Sequence, residues 1–515
     1  MFLKGELKVN IIYDIAARRA DLSANKLAMR EVATGQEITY SELNDRANRF
    51  ADALERLGIK AGQRIGILTH NNAAFFEILF ACGKTGIILV PLNWRLTESE
   101  MIPLLDDSEI SLMIHDSNCA ELALGLTKER DLTLVPIQTH GDPLQEGSYQ
   151  FLQAQSTGTV KRDPAWPINN TWYMLYTSGT TGIPKAVPQT FSMAMSNYTN
   201  IRQIFDISSA SRSPNFLPLF HTAGVNLHTL PIFIAGGSID VLPGFEPEML
   251  VDLLAEGKTT TVFAVPAIFQ FLQLHPDFDQ IDFASIPTWG SGGASMPDSV
   301  VELYLSKGIR ICQGWGMTET GPSIIFQSPK DVEIKMGSAG QPLLLSHTKI
   351  VDPEGNEVQQ GESGELMVRG PSVMPGYWNR PEANAETFEE GGWMHTGDIA
   401  RQDEDGYYYL VDRIKDMYIS GAENVYPAEI ENVLAAHPDI LEAAVIGVPD
   451  NMWGEVGLAL VIAMPGQTPD EAEVIAFCKG RLAGYKIPKS MKLVEDFPRT
   501  PAGKVRKHKL RAEHR

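Results

Sequence analysis

Cysteine is scarce. Only four occur in 515 residues (Cys82, Cys119, Cys312 and Cys478), with no C-x-x-C pair and no histidine at ligand spacing. Their scatter excludes a disulfide scaffold and a zinc cluster, and it fits a reducing compartment. Positive charge is also short: 43 Lys+Arg stand against 64 Asp+Glu, a net charge of −21. That deficit argues against nucleic acid or an anionic membrane as a partner, while leaving room for a local basic pocket. Long hydrophobic runs are missing as well. The best candidate, Ala73 to Leu92, is interrupted by Glu77, Lys84 and the glycines Gly83 and Gly86, so no integral membrane segment is expected. The opening MFLKGELKVNIIYDIAARRADL is broken by charges before an apolar signal core develops, and the closing AEHR matches no lipid or peroxisomal address. A cytoplasmic protein is the expectation.

What is present is an ordinary globular composition, 43% hydrophobic and 21% charged, over a length that implies about two to four structural units. Through the first part of the chain, helical and strand patterns alternate. Thr39-Tyr-Ser-Glu42 reads as a capping box before Leu43, Ala47, Phe50, Leu54 and Leu57 at helical spacing, and Gly58 closes that helix. RIGILTH (64–70), IILVPLN (87–93) and SLMIHDS (111–117) read as strands, with helices between them, the later one opened by Thr97 and Glu100. Residues 120–165 are polar and poorly patterned and read as a connecting region. The alternation resumes from 213 to 345, with TVFAVP (261–266) and IRICQGW (309–315) as buried strands. Short turn-rich strands then suggest a small antiparallel unit. The tail restarts with the helix PAEIENVLAAH, two strands, a helix capped at Thr468-Pro469 with Glu471, and the strand MKLVEDF. The fold class is therefore α/β: a large N-terminal domain of stacked α/β sheets with a small β unit, followed by a small α+β C-terminal domain.

One string carries sharp chemistry: Tyr176-Thr-Ser-Gly-Thr-Thr-Gly-Ile-Pro-Lys185. A loop dense in Ser, Thr and Gly lets backbone N–H groups approach phosphates closely, and a lysine adds a point charge. It is no Walker loop, because GxxxxGK[ST] is absent and a strand-like KAVPQ follows. Five further strings stand in order behind it: LPLFHTAG (217–224), GWGMTET (314–320), MHTGDIA (394–400), VDRIKDMYISGAENVYPAEIE (411–431) and PRTPAGKVRK (498–507).

Together these strings closely resemble the motifs of the adenylate-forming superfamily, which includes acyl- and aryl-CoA ligases, amino-acid-activating domains and beetle luciferases. The resemblance spans nearly the whole chain. It implies an AMP-binding domain over 1–412, a hinge at 413–416 and a mobile catalytic domain over 417–515. It also implies ATP, Mg²⁺ and coenzyme A beside a small carboxylic acid, and it allows a homodimer. The chemistry brings a carboxylate against a triphosphate, so the site must neutralise charge and align the attack.

By this resemblance Lys504 bridges the carboxylate and the α-phosphate. Thr177, Ser178, Gly179, Thr180, Thr181, Gly182 and Lys185 form the phosphate loop, and Thr181 with Glu319 serves metal and phosphate. Asp398 holds the ribose hydroxyls, a two-acceptor task, and Arg413 contacts the same nucleotide. Trp315 lies against the adenine, where the family more often has Tyr. Gln313, Gly314, Gly316 and Thr318 line the junction of AMP and acid, with Gly292, Gly293 and Ala294 on the adenine side. His221 stands at the mouth between acid pocket and thiol tunnel, where it orients the carboxylate or assists thiol deprotonation. Ala223, Gly224, Val225, Gly293 and Met317 complete an apolar acid pocket, and His228 is a further candidate to face it. Lys415 aligns with the hinge residue, so that rotation brings Lys504 in for adenylation and afterwards the Ser420, Gly421 and Ala422 loop for CoA. Two positions depart from the family pattern: Ala186 and Ala422 replace usual glycines. HTAGVN carries no carboxylate to pair a substrate amine, and no carrier domain is expected behind Lys504. The implied activity is an AMP-forming carboxylic acid–CoA ligase for a fatty, aryl or hydroxycinnamic acid. Transfer of the acyl group to a carrier protein, or a non-catalytic nucleotide-binding relative, are the alternatives.

Overall fold

The computed structural model describes residues 10–128, 130–138, 144–177, 184–413, 415–420, 423–450, 452–500 and 503–514. The first strong sequence pattern folds as its residues dictate. The Thr39 hydroxyl accepts the Glu42 N–H while the Glu42 carboxylate accepts the Thr39 N–H at 2.8 Å, and the helix Tyr40–Arg56 buries Leu43, Ala47, Phe50 and Leu54. Leu57 does not join that face. It is the C-terminal cap and 41% exposed, because the chain turns there into Gly58 at φ +81°.

The interrupted apolar stretch becomes a helix, Ala73–Thr85, and a strand, Ile88–Pro91. Its charges are buried with partners. Glu77 accepts from Arg46 at 3.1 Å and from the Tyr149 hydroxyl at 2.6 Å, and Lys84 donates to Asp14 at 2.6 Å and Asn44 at 2.7 Å. Each buried charge thus meets a counter-charge. No described helix is long and apolar enough to cross a membrane.

Strand Ile88–Pro91 lies in a six-stranded sheet with Arg64–Leu68, Leu112–His115, Thr133–Pro136 and the hairpin Thr171–Thr177/Lys185–Thr190. The strands run parallel except in the hairpin, where Thr177 pairs with Lys185. The segment read as a polar connection holds the helices Ala120–Leu126 and Tyr149–Ala154 and the strand Thr133–Pro136, elements too short to show periodicity. A second sheet joins Arg212–Asn215, Ser238–Val241, Leu27–Glu31 and Glu37–Thr39. A third runs Thr261–Ala264, Thr288–Gly292, Ile311–Trp315, Ile325–Phe326 and Gln341–Pro342. Large apolar side chains from these layers form one continuous core, including Phe50, Phe76, Trp172, Phe205, Phe233 and Trp289.

Strands His347–Val351, Ser363–Arg369, Met394–Gln402 and Tyr408–Arg413 form the small antiparallel sheet. Beyond it the tail builds its own sheet around the long pair Ile440–Asp450 and Gly454–Ala463, with helices Pro427–Ala435, Glu471–Cys478 and Lys507–His514. Val425, Ile430, Leu434, Val445, Val461 and Val474 supply its separate core. The cap of helix Glu471–Cys478 is Asp470, not Thr468-Pro469, because the Asp470 carboxylate accepts both the Ala472 and Glu473 N–H groups. One ion pair ties the last helix to the tail's first helix, Lys507 to Glu431 at 2.8 Å, and another ties it to the segment before the tail, Arg511 to Asp416 at 2.7 Å.

Candidate active site

The site forms where strand ends of the third sheet meet the antiparallel sheet and the tail. Strands Thr288–Gly292 and Ile311–Trp315 run parallel with Gly292 opposite Gly314, so two residues without side chains sit side by side. A side chain would overlap its neighbour at Gly314 and be crowded at Gly292. A Cβ on Gly314 would stand 2.3 Å from the Phe326 ring, and one on Gly292 would stand 3.0 Å from the Gly314 carbonyl. Gly293 follows at φ +87°, a left-handed turn that glycine adopts freely. A Cβ there would lie 3.8 Å from Lys504 Cε. The lysine near the chain's far end therefore reaches the turn after Gly292.

Around that lysine the charges converge. Burial pushes the Lys504 ammonium down to about 8, helped by the positive Arg413 and Lys415, while Asp398 and Glu319 pull the other way. Lys415 is lowered too, first by burial and then by Arg413. Three cations share one cleft with two carboxylates, an arrangement that favours an arriving anion.

Asp398 is buried in strand Met394–Gln402 and holds two partners. Trp315 Nε1–H donates to Oδ2 at 2.8 Å, and Arg413 Nε lies 3.1 Å from Oδ1. The pair Asp398–Arg413 is a register pair of neighbouring strands, which is how the sheet sets their meeting. A carboxylate has about four lone-pair sites, so two stay free for other donors. Trp315 thus contributes a polar contact as well as a flat ring.

Glu319, in the short turn Thr318–Thr320, is buried, and its carboxyl is raised by that burial. Its Oε1 accepts from the Tyr377 hydroxyl at 2.8 Å. Lys185 Nζ sits 4.8 Å above the same Tyr377 ring. A buried hard-oxygen donor beside a lysine and the mouth of a Ser/Thr/Gly loop suits a magnesium ion shared with phosphates. Tyr377 escaped the sequence reading. Its backbone is clamped by Asn384, seven residues on, which accepts the Tyr377 N–H at 2.7 Å and donates to the Tyr377 carbonyl at 3.0 Å.

His221 lies half-buried at the start of a segment whose Ala223–Leu227 turn is π-helical. The Ala223 N–H donates to His221 Nδ1 at 3.2 Å, and burial and then Lys504 lower the imidazole to about 4. The ring is neutral near pH 7 with its proton on Nε2, a donor. Gly224 is held tightly: a Cβ would stand 2.3 Å from the Pro218 carbonyl, and its own carbonyl accepts from Asn215 and Thr229. Val225 is buried and Ala223 partly so.

Gln313 is buried, its Oε1 accepting the Met296 N–H at 3.3 Å. Gly316 packs so closely under Pro322 that a side chain would overlap the Pro322 carbonyl. The Thr318 carbonyl accepts from Gln189 at 3.0 Å, and the Met317 N–H donates to Thr320 Oγ1 at 2.9 Å. Thr177 Oγ1 donates to the Lys185 carbonyl across the hairpin. Ala186 is fully buried in that hairpin, opposite Tyr176. Ser420 is buried at the end of strand Tyr418–Ser420, paired with Glu423 and Gly454. Ala294 lies just past the Gly293 turn. Ser178, Gly179, Thr180, Thr181 and Gly182, and likewise Gly421 and Ala422, fall outside the described residues.

A cleft that gathers Lys504, Asp398, Arg413, Trp315 and Glu319 around a glycine turn defines a protein built to hold a nucleotide and an anionic partner. The comparisons agree. Residues 16–378 match the AMP-binding enzyme family and residues 429–504 its C-terminal domain, and the chain belongs to that family. It is 38% identical over 496 residues to a feruloyl-CoA synthase of Amycolatopsis sp, covering 96% of this chain and 97% of that one. It is 35% identical over 495 residues to an indoleacetate–CoA ligase of Aromatoleum aromaticum, covering 96% of each. Among solved structures, the O-succinylbenzoate coenzyme A synthetase of Bacillus subtilis in complex with ATP and magnesium ion superimposes with a TM-score of 0.86 at 30% identity, covering 98% of this chain and 99% of that one. The chain is an AMP-forming acid–thiol ligase of the adenylate-forming superfamily, using ATP, magnesium and coenzyme A.

Proposed function

We propose that this ligase activates an apolar carboxylic acid, aryl, hydroxycinnamic or fatty, and that the residues gathered at Gly293 perform the first step. The observation that carries the reading is Lys504 beside the Gly293 turn, within the field of Asp398, Glu319, Arg413 and Lys415. The acid's carboxylate oxygen attacks the α-phosphorus of ATP, the bond to the β-phosphate bridge breaks, and pyrophosphate leaves. Both reactants are anions, and the Lys504 ammonium bridges them. His221 donates through Nε2–H to the carboxylate and orients it. Asp398, held by Trp315 and Arg413, accepts from the ribose hydroxyls. Glu319 would hold magnesium together with Thr181, and Lys185 with the loop 177–182 would hold the phosphates. When bound, magnesium screens the phosphate charge.

In the second step the CoA thiolate attacks the acyl carbonyl and AMP leaves. Lys504 has no part there, so the unit 417–515 turns about 413–416 and presents Ser420 with Gly421 and Ala422 to the thiol. Domain 1–412 keeps the adenylate meanwhile. The small apolar groups Ala223, Gly224, Val225, Gly293 and Met317 suit an uncharged acyl group. Among the relatives, the feruloyl and indoleacetate enzymes act on aromatic acids by name, which favours an aryl substrate. A cytoplasmic location belongs to the same reading, since four free, scattered cysteines fit a reducing compartment.

The test is a panel of aromatic and aliphatic acids assayed for AMP release with and without CoA. AMP release that requires both an acid and CoA is expected. Hydroxamate trapping of an acyl-adenylate that CoA fails to discharge would point instead to a carrier protein as acceptor.

A further inference from the structure

Directly after the Ala223–Leu227 turn lies an unexplained buried polar residue. His228 is 5% exposed, and both its ring nitrogens lack a hydrogen-bond partner among the described residues. A neutral imidazole carries one donor and one acceptor, and burying both without partners is unfavourable. A phenylalanine would fill the same space among these neighbours at no such cost. The Phe205 ring stands edge-on to it at 4.5 Å between centroids, and the Phe263 ring lies at 5.6 Å.

Those rings connect His228 to the reaction centre. Phe263 Cζ lies 3.3 Å from where a Cβ on Gly292 would stand, and Gly292 adjoins the Gly293 turn that Lys504 touches. Phe205 and Phe263 also close over Gly290, where a Cβ would stand 2.6 Å and 2.9 Å from them. An acid held by its carboxylate at Lys504 and His221 and lying along this glycine edge would meet Phe263 and Phe205, with His228 against them.

We propose that His228 is a specificity-determining residue that recognises a hydroxyl substituent on the ring of an aromatic acid. The inference rests on the ligase reading above and narrows it to hydroxyaryl acids. A hydroxyl both donates and accepts, so it satisfies whichever tautomer His228 adopts. Burial lowers the imidazole to about 3, so the ring is uncharged near neutral pH and offers no ion pair to a second carboxylate. A site built to bond a hydroxyl discriminates strongly against the analogue that lacks it.

The experiment compares kcat/KM for AMP release with CoA on cinnamate and on its ortho-, meta- and para-hydroxy derivatives. The wild type is expected to favour one hydroxylated isomer over cinnamate by about tenfold or more. His228→Phe brings that ratio to about one through a rise in KM for the hydroxy acid. His228→Gln, neutral and able to donate and accept, keeps most of the preference. A ratio taken within one preparation does not depend on the fraction folded, and His228→Leu serves as a second apolar variant if the Phe variant does not fold. An unchanged ratio in the apolar variants, or a wild type that prefers cinnamate or a dicarboxylic acid, overturns the assignment of His228 while the ligase reading stands. If no carboxylic acid at all supports AMP release by the wild type, the ligase reading falls first.

Discussion

Replacing Trp315 by phenylalanine removes one hydrogen bond and leaves a flat ring in place. The indole N–H meets Asp398 Oδ2 at 2.8 Å with the carboxylate 7% exposed, so the bond is charge-assisted and shielded. Hydrogen bonds to charged groups contribute about 1.5–3 kcal/mol. Arg413 still holds Oδ1 at 3.1 Å, which keeps the carboxylate in the site and places the effect at the lower end. Weaker orientation of Asp398 toward the ribose then lowers AMP affinity about tenfold, the equivalent of about 1.4 kcal/mol. Titration calorimetry with AMP measures this directly, and the KM for ATP in pyrophosphate exchange should rise in step. The mechanism also predicts non-additivity: in an Asp398→Ala background the Trp315→Phe change should add little. Unchanged AMP affinity in Trp315→Phe, or full additivity in the double variant, would refute the claim that Trp315 acts through Asp398.

Two other outcomes follow from the charges. Lys504 sits at about 8, and its ammonium is present below that value and lost as pH rises through it. Pyrophosphate exchange should therefore hold level near neutrality and fall about tenfold per pH unit above about 8 in kcat/KM. His221, already neutral above about 4, adds no limb in that range. Lys504→Arg should remove the alkaline limb, and a wild-type profile flat to about pH 10 would contradict the assignment. In the tail, burial raises the Glu431 carboxyl, and Lys507 compensates it at 2.8 Å. Lys507→Met leaves that carboxylate unpaired and should cost about 3 kcal/mol of stability at pH 7. The loss shrinks as pH is lowered, because burial makes the orphaned Glu431 take up a proton more readily than a free carboxylate. Thermal melts of both proteins across a falling pH series check the sign.

The sequence strings proved most informative where chemistry dictates residue type. Trp315 and Glu319 share one short string, while Asp398 and Lys504 lie in others about 80 and 190 positions further on, yet each string is legible by itself and the fold brings these charges around Lys504. The capping boxes at Thr39 and Thr97 were equally readable, because each is completed within four residues. Tyr377 was missed because nothing local distinguishes a tyrosine that supports a distant carboxylate from one that packs. Leu57 kept the helical spacing but lost its core, since the following glycine redirects the chain. The small elements between 120 and 165 depend on packing against the sheet and leave little periodic trace. The indole bond from Trp315 to Asp398 was invisible for a similar reason: a Trp in place of the usual Tyr announces size, and only the sheet register shows where its N–H ends.

The central proposal is that one amine, supplied by the tail, lets a carboxylate approach a triphosphate and then withdraws. Lys504→Ala tests it when both half-reactions are measured on the same protein. Acid-dependent exchange of label between pyrophosphate and ATP should drop about a hundredfold or more, while thioester formation from supplied acyl-AMP and CoA stays close to wild type. Equal loss of both, or exchange that persists without the amine, would contradict it.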